Sequence, residues 1–250
     1  MLDEAGGPPE RGVSDAAIED GALADALEAA LVPTDLDLGD GITVAVRYVP
    51  TAGLIGGDFY DALAIDGARL FLLGDVAGHG LDAAQVMATM RAYLRALGFE
   101  HGEPSTILRI ANDLLIEDPR ADLVTAIVAR WEPRWRRLSV ASAGHVPPLV
   151  REPDGAVEVL LADRGPVLGA FDDGPWTTFT RTLEPGATLL LYTDGLIEQH
   201  SLDLADGTRF ITDRWASADS DDVESVADAL LAGVPHSPRD DVALVVIRFD

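Results

Sequence analysis

The chain has 250 residues, 48% of them hydrophobic, which is enough for one large domain with a short extension. Its 43 acidic against 18 basic side chains give a formal net charge of -25 at pH 7, which argues against nucleic acid and membrane surfaces as partners. With no cysteine, disulfides, thiolate nucleophiles and Cys-ligated zinc or iron–sulfur centres are excluded, so any metal must sit on oxygen or imidazole. No stretch reaches the roughly 18 apolar residues of a spanning helix, and Met1 to Glu10 has neither a basic n-region nor an apolar core. The expectation is a soluble, cytoplasmic protein.

In chain order, residues 1–13 combine Gly, Pro and charge without apolar periodicity and are expected to form a flexible tail. From Ser14 to Leu31 the spacing of Ile18, Leu23, Leu27 and Leu31 predicts an amphipathic helix, with Ser14 or Asp15 as its cap. Two readings of this helix stay open: docking on its own domain, or pairing between subunits as a homodimer contact. The main domain is expected over 32–250. It begins with strands at Ile42–Val49, Asp58–Ile65 and Arg69–Leu73, the last two joined by an Asp66-Gly67 turn.

Helices are predicted from Leu81 to Leu97, ending at Gly98, and from Ser105 to Ile116 behind Pro104. Strand patterns return at Leu123–Trp131, Leu138–Ala143, Pro148–Arg151, Val157–Leu161, Trp176–Leu183, Ala187–Tyr192 and Val242–Phe249, with one more helix at Asp222–Leu231. Many antiparallel strands with a few clustered helices favour an α+β architecture, two antiparallel β-sheets in a sandwich flanked by α-helices, over a doubly wound parallel sheet.

Four short segments put aspartates where the backbone enters or leaves an apolar strand: Gly56-Gly57-Asp58, Gly74-Asp75-Val76, Thr193-Asp194-Gly195 and Asp240-Asp241-Val242. Each alone is an ordinary turn sequence. Together they are carboxylates carried on rigid strands that can converge at one edge, a donor set suited to hard divalent ions such as Mn2+ and Mg2+.

The order and wording of these segments resemble the PPM-type metal-dependent protein phosphatases, in particular their bacterial SpoIIE-like, RsbU-like branch. The resemblance runs from about Leu23 to the C-terminus. It rests on Gly56-Gly57-Asp58-Phe59-Tyr60-Asp61, Gly74-Asp75-Val76-Ala77-Gly78-His79-Gly80, Ala143-Gly144-His145-Val146-Pro147-Pro148, Leu191-Tyr192-Thr193-Asp194-Gly195 and Asp240-Asp241-Val242-Ala243-Leu244.

The resemblance implies a serine/threonine phosphoprotein phosphatase acting through two Mn2+ or Mg2+ ions and a metal-activated water. It makes Asp58 and Asp75 the shared-metal ligands, with Asp75 bridging and the Val76 backbone carbonyl completing one sphere. Asp194 and Asp240 hold the second ion, and Asp241 is a further ligand or a supporting group. It also implies a phosphorylated STAS-type anti-anti-sigma protein as substrate, in a sigma-factor partner-switching pathway, and an activator protein or upstream sensor as regulator. Against this stands a reading as a catalytically weak or inactive module of the same fold that binds a protein partner.

His79 and His145 are the two histidines suited to protonating a leaving oxygen near neutral pH, set against a structural reading of each as a hydrogen-bonding partner beside a Gly-rich turn. Arg47, in a strand ahead of the first aspartate segment, is expected to be a solvated or salt-bridged strand residue rather than a phosphate grip. Leu54-Ile55 stands where relatives often carry a polar pair. Arg130, Arg134, Arg136 and Arg137 with Trp131 and Trp135 read as a structural hairpin rather than a nucleic-acid patch, given the overall negative charge.

Overall fold

The structure, a computed structural model, describes residues 38–51, 56–120, 122–160, 164–198, 203–218, 221–235 and 238–250. The expected tail, the Ser14–Leu31 helix and Leu54-Ile55 lie outside the described residues.

The strands are β1 (Ile42–Val49), β2 (Phe59–Ile65), β3 (Ala68–Val76), β4 (Val124–Glu132), β5 (Arg137–Ala143), β6 (Leu149–Arg151), β7 (Val157–Val159), β8 (Arg164–Gly165), β9 (Phe179–Thr182), β10 (Thr188–Tyr192) and β11 (Val242–Phe249). The helices are α1 (Leu81–Glu100), α2 (Pro104–Ile116), α3 (Gly195–Glu198), α4 (Leu204–Ala216) and α5 (Val223–Leu231). One sheet runs β1-β11-β10-β6-β7 and the other β2-β3-β4-β5-β8, with β9 also pairing β5. All pairings between named strands are antiparallel except the short β5–β8 contact.

Side-chain alternation along the strands builds three apolar layers. On β3, Phe71 and Leu73 face the other sheet, while Leu70 and Leu72 face α1 and α2. On β11, Ala243, Val245 and Ile247 face inward, and Val242, Leu244 and Val246 pack on the layer of α4 and α5. Strands covered on both faces are apolar at nearly every position, as Val-Ala-Leu-Val-Val-Ile-Arg-Phe in β11 is. The result is the helix–sheet–sheet–helix sandwich that the strand pattern predicted.

Asp66 (φ 46) and Gly67 (φ 78) form the two-residue turn expected between β2 and β3, with Ile65 paired to Ala68. The segment Arg130–Arg137 is a hairpin between β4 and β5, with Arg130 and Arg137 engaged by Glu132 and Arg136 by Glu184. Arg47 is salt-bridged to Glu224 and Asp228 of α5, as expected.

Three expectations are corrected. Helix α1 continues through Gly98 to Glu100, because Gly98 packs directly on Leu70 and Leu63, where a Cβ would not fit. The strand expected at Trp176–Leu183 is only Phe179–Thr182; the Trp176 indole is held by the Pro166 carbonyl (2.9 Å). Helix α4 was not expected: its buried stripe of Gly207, Thr208, Ile211 and Trp215 is poor in large apolar residues, and Gly207 is small because Ile197 occupies the space beside it. The residue that marks its start is Asp203, whose carboxylate accepts the Asp206 N–H at 2.9 Å.

Among the described residues, no helix is long and apolar enough to cross a membrane.

Candidate metal centre

The antiparallel order places the start of β2, the end of β3 and the start of β4 at one edge of one sheet, and the end of β10 and the start of β11 at an edge of the other. Cross-sheet bonds show that these two edges meet. The Thr193 hydroxyl, just past β10, donates to Asp58 Oδ2 (2.7 Å), just before β2, while its oxygen accepts the Ala243 N–H (2.9 Å). Asp58, Asp75, Asp194, Asp240 and Asp241 therefore collect at one end of the sandwich.

Asp58 is 2% exposed. Burial holds its carboxyl well above the usual carboxylate range; the charge of Asp75 pushes the same way, the Thr193 hydroxyl opposes, and Asp241 and Asp240 add further repulsion. Asp194 is raised by burial and then by Asp240. Asp241 is raised by burial, against the N–H groups that it accepts. Carboxylates that are buried and repel one another form a site whose charge is balanced by protons or by cations.

The loops are shaped for close approach. A Cβ on Gly57 would collide with the Val76 carbonyl oxygen and meet Asp75 Oδ1 at 3.0 Å; one on Gly56 would collide with the Asp241 carboxylate. Asp241 accepts the N–H groups of Thr51 (2.7 Å) and Gly57 (3.0 Å), one on each oxygen, so it pins Gly57, the residue that leads into Asp58. Asp240 Oδ1 accepts the Asp241 N–H at 2.8 Å. Of the adjacent pair, Asp241 is thus the more committed to backbone.

Among the described residues, no three His, Asp or Glu side chains are gathered closely enough to form a ready cation cage. The carboxylates share an edge without closing on one point. Their chemistry, all oxygen with a neighbouring backbone carbonyl and an excess of negative charge, fits a hard divalent cation.

The two histidines separate. His145 is buried, its Nε2 bonded to the Tyr192 carbonyl (3.1 Å) and its Nδ1 to the Thr125 hydroxyl (2.8 Å). Since a carbonyl only accepts, Nε2 carries the proton and Nδ1 accepts from Thr125. Burial lowers the ring to about 4, so it is neutral at physiological pH and ties β4 to β10 across the sandwich. This is the structural alternative for His145, not the proton donor. His79 is exposed on the segment between Val76 and α1.

Thr193 and Asp61 lie within the aspartate motifs, but nothing in the sequence alone gives either a task. Thr193 immediately precedes Asp194, which was its signal. Asp61 stands at an apolar-face position of β2, between Phe59 and Leu63, and is buried against Arg91 and Arg95.

The sandwich is the fold of PP2C-like, PPM-type phosphatase domains. The family model for Stage II sporulation protein E (SpoIIE) matches residues 66–250, and the chain belongs to this family. It is 25% identical over 223 residues to the phosphoserine phosphatase RsbU of Bacillus subtilis (strain 168), covering 87% of this chain and 66% of that protein. Among solved structures it resembles the SiaA-PP2C domain of Pseudomonas aeruginosa, with TM-score 0.78 and 25% identity over 94% of this chain and 99% of that one. It also resembles the RsbU and RsbW domains of Rv1364c from Mycobacterium tuberculosis, with TM-score 0.73 and 28% identity over 84% of this chain and 60% of that one. The chain thus spans just under two thirds of RsbU and of the Rv1364c chain.

Proposed function

We propose that this chain is a divalent-metal-dependent phosphatase that removes phosphate from phosphoserine or phosphothreonine of a STAS-type anti-anti-sigma protein in a cytoplasmic partner-switching pathway. One observation carries the reading: mutually repelling aspartates at the sandwich end, with Asp58 raised by burial and by its acidic neighbours. Family membership supports the reaction, and the likeness to a phosphoserine phosphatase supports the substrate class. Control by an activator protein or an upstream sensor belongs to the same proposal.

In this reading Asp58, Asp75, the Val76 carbonyl, Asp194 and Asp240 hold two Mn2+ or Mg2+ ions. When bound, such ions supply Lewis-acid charge and lower the pKa of a water to be aimed at phosphorus. The chain's own groups set the frame for that chemistry. Thr193 orients Asp58, and Asp241 holds the backbone N–H groups of Thr51 and Gly57 beside the metal edge. The neutral His145 bonds to Thr125, which is paired with Asp75 in the β3–β4 ladder, and to the backbone of Tyr192, two residues before Asp194, so the ligands on the two sheets keep their spacing. His79, exposed four residues after Asp75, is the side chain proposed to give a proton to the departing serine or threonine oxygen.

The test compares wild type with Asp75→Asn on an aryl phosphate and on a phosphorylated STAS protein, with and without Mn2+. Metal-dependent turnover should fall at least ~1,000-fold in the variant, a barrier increase of about 4 kcal/mol. A folded wild type that binds no Mn2+ and hydrolyses neither substrate would sink the enzyme reading. Hydrolysis of other phosphoproteins but not of STAS proteins would overturn the substrate assignment alone.

A further inference from the structure

Asp61 is a buried acid, held by two partly exposed arginines, that the metal chemistry does not use. Its side chain is 1% exposed and meets Arg91 Nε at 3.2 Å and Arg95 Nη1 at 2.8 Å, while the Ala62 N–H donates to Oδ1 at 2.8 Å. Both arginines belong to α1, and Asp61 belongs to β2, three residues after Asp58.

A leucine here would complete the apolar face and cost less desolvation than an ion cluster, so stability alone does not explain the aspartate. Its neighbours in this layer include Met87, Met90 and Leu94 of α1. Unbranched methionines adapt to many positions and specify none. The start of α1 has no side-chain cap; Gly80 (φ 86) serves there through its backbone alone, four residues after Val76. A carboxylate gripped by two guanidinium groups fixes what these contacts leave loose: the rotation and translation of α1 on β2.

We propose that Asp61 is a positioning residue for the metal edge: by holding Arg91 and Arg95 it seats α1 on β2 and thereby fixes the placement of Asp58. This rests on the reading of that edge as a metal centre. It makes Asp61 act on metal affinity through strand β2, without touching metal or substrate.

Two readouts on the full chain decide it. In the metal-free protein, Asp61→Asn should speed amide hydrogen exchange at residues 58–62 while leaving the amides of β11 unchanged. In calorimetric titration with Mn2+, the same variant should bind about tenfold more weakly, the scale of losing a group that orients a ligand. Asp61→Glu, which keeps the charge, should recover part of both effects. Arg95→Gln, on the more exposed arginine, serves as a second variant should Asp61→Asn fail to fold, and should move both readouts in the same direction.

Equal acceleration across β11 would mean a merely structural role and overturns the inference. So does a variant that binds Mn2+ as tightly as a wild type that binds it well. A wild type that binds no Mn2+ overturns the metal reading itself, a failure visible before any variant is compared.

Discussion

Asp58 and Asp61 are three residues apart at the start of one strand, both buried, in surroundings of opposite charge. Alternation along β2 explains the separation: Asp58 lies on the side facing the other sheet, whereas Asp61 lies on the side of α1. Asp61 receives two guanidinium groups and a backbone N–H. Asp58 receives one hydroxyl and otherwise looks onto Asp75, Asp241 and Asp240. A buried carboxylate needs compensation. Where the chain supplies it, the acid is architecture; where the chain supplies more acids instead, the compensation must come from outside. That contrast identifies the metal edge more firmly than the number of aspartates does, since a chain with 43 acidic residues has many to offer.

The largest expected effect comes from making Asp61 resemble Asp58. Arg91→Gln with Arg95→Gln leaves a carboxylate that is 1% exposed without its partners, and should cost about 3–5 kcal/mol in chemical denaturation. Asp61→Asn should cost less, about 1–2 kcal/mol, because its stranded arginines are 21% and 45% exposed and can turn to water. Adding Asp61→Asn to the double variant should restore stability, the non-additivity expected of one coupled cluster. A double variant milder than Asp61→Asn would break the buried-charge account.

The next effect is in pH. Asp58, Asp194 and Asp241 are all raised in the folded chain, burial being the first cause in each. Between the ordinary carboxylate range and these raised values, the folded state binds more protons than the unfolded one. The metal-free protein should therefore gain stability as pH falls from neutral into that window, and lose it as pH rises through the raised values. Thermal melts of chelator-treated protein check this, at ~2–4 °C per kcal/mol for a domain of this size. Asp58→Asn should flatten the profile and raise the melting temperature at neutral pH. With Mn2+ present the slope should reverse, because protons then compete with the cation for the same oxygens. A metal-free melting temperature that falls steadily from pH 7.5 to 5 would contradict the charge assignment at this edge.

Much of this was legible in the sequence, for identifiable reasons. β1, β2 and β11 are mostly apolar runs bounded by turn residues, and the boundaries fall within a residue of those expected. The aspartate segments sit at strand ends, so an antiparallel sandwich brings them together once the strand order is known. Helix α4 was not legible because its buried face uses Gly207 and Thr208, which carry no periodic signal of their own. The ion cluster was hidden for a related reason. Asp61 interrupts the apolar face of β2, and only packing reveals that Arg91 and Arg95, one helical turn apart, fill the interruption. The role of Asp241 also needed coordinates, because its partners at Thr51 and Gly57 are nearly 200 residues away in sequence.

The smallest effect sharpens the comparison by inverting it. At the edge of the other sheet, β1 is tied to α5 by a cluster of opposite polarity: Arg47, one cation, holds Glu224 (2.8 Å) and Asp228 (2.7 Å). The geometry is as good as at Asp61, but the acids are 58% and 68% exposed. Arg47→Gln should therefore cost only about 0.5–1 kcal/mol, since the released carboxylates regain water. That small loss should also shrink in concentrated salt, which screens exposed pairs, whereas the cost of disturbing Asp61 should persist. Denaturation of both variants in low and high salt separates the two. An Arg47→Gln cost equal to that of the Arg91/Arg95 pair, unmoved by salt, would mean that bond geometry rather than burial sets what these clusters contribute. The contrast between Asp58 and Asp61 would then lose its physical basis.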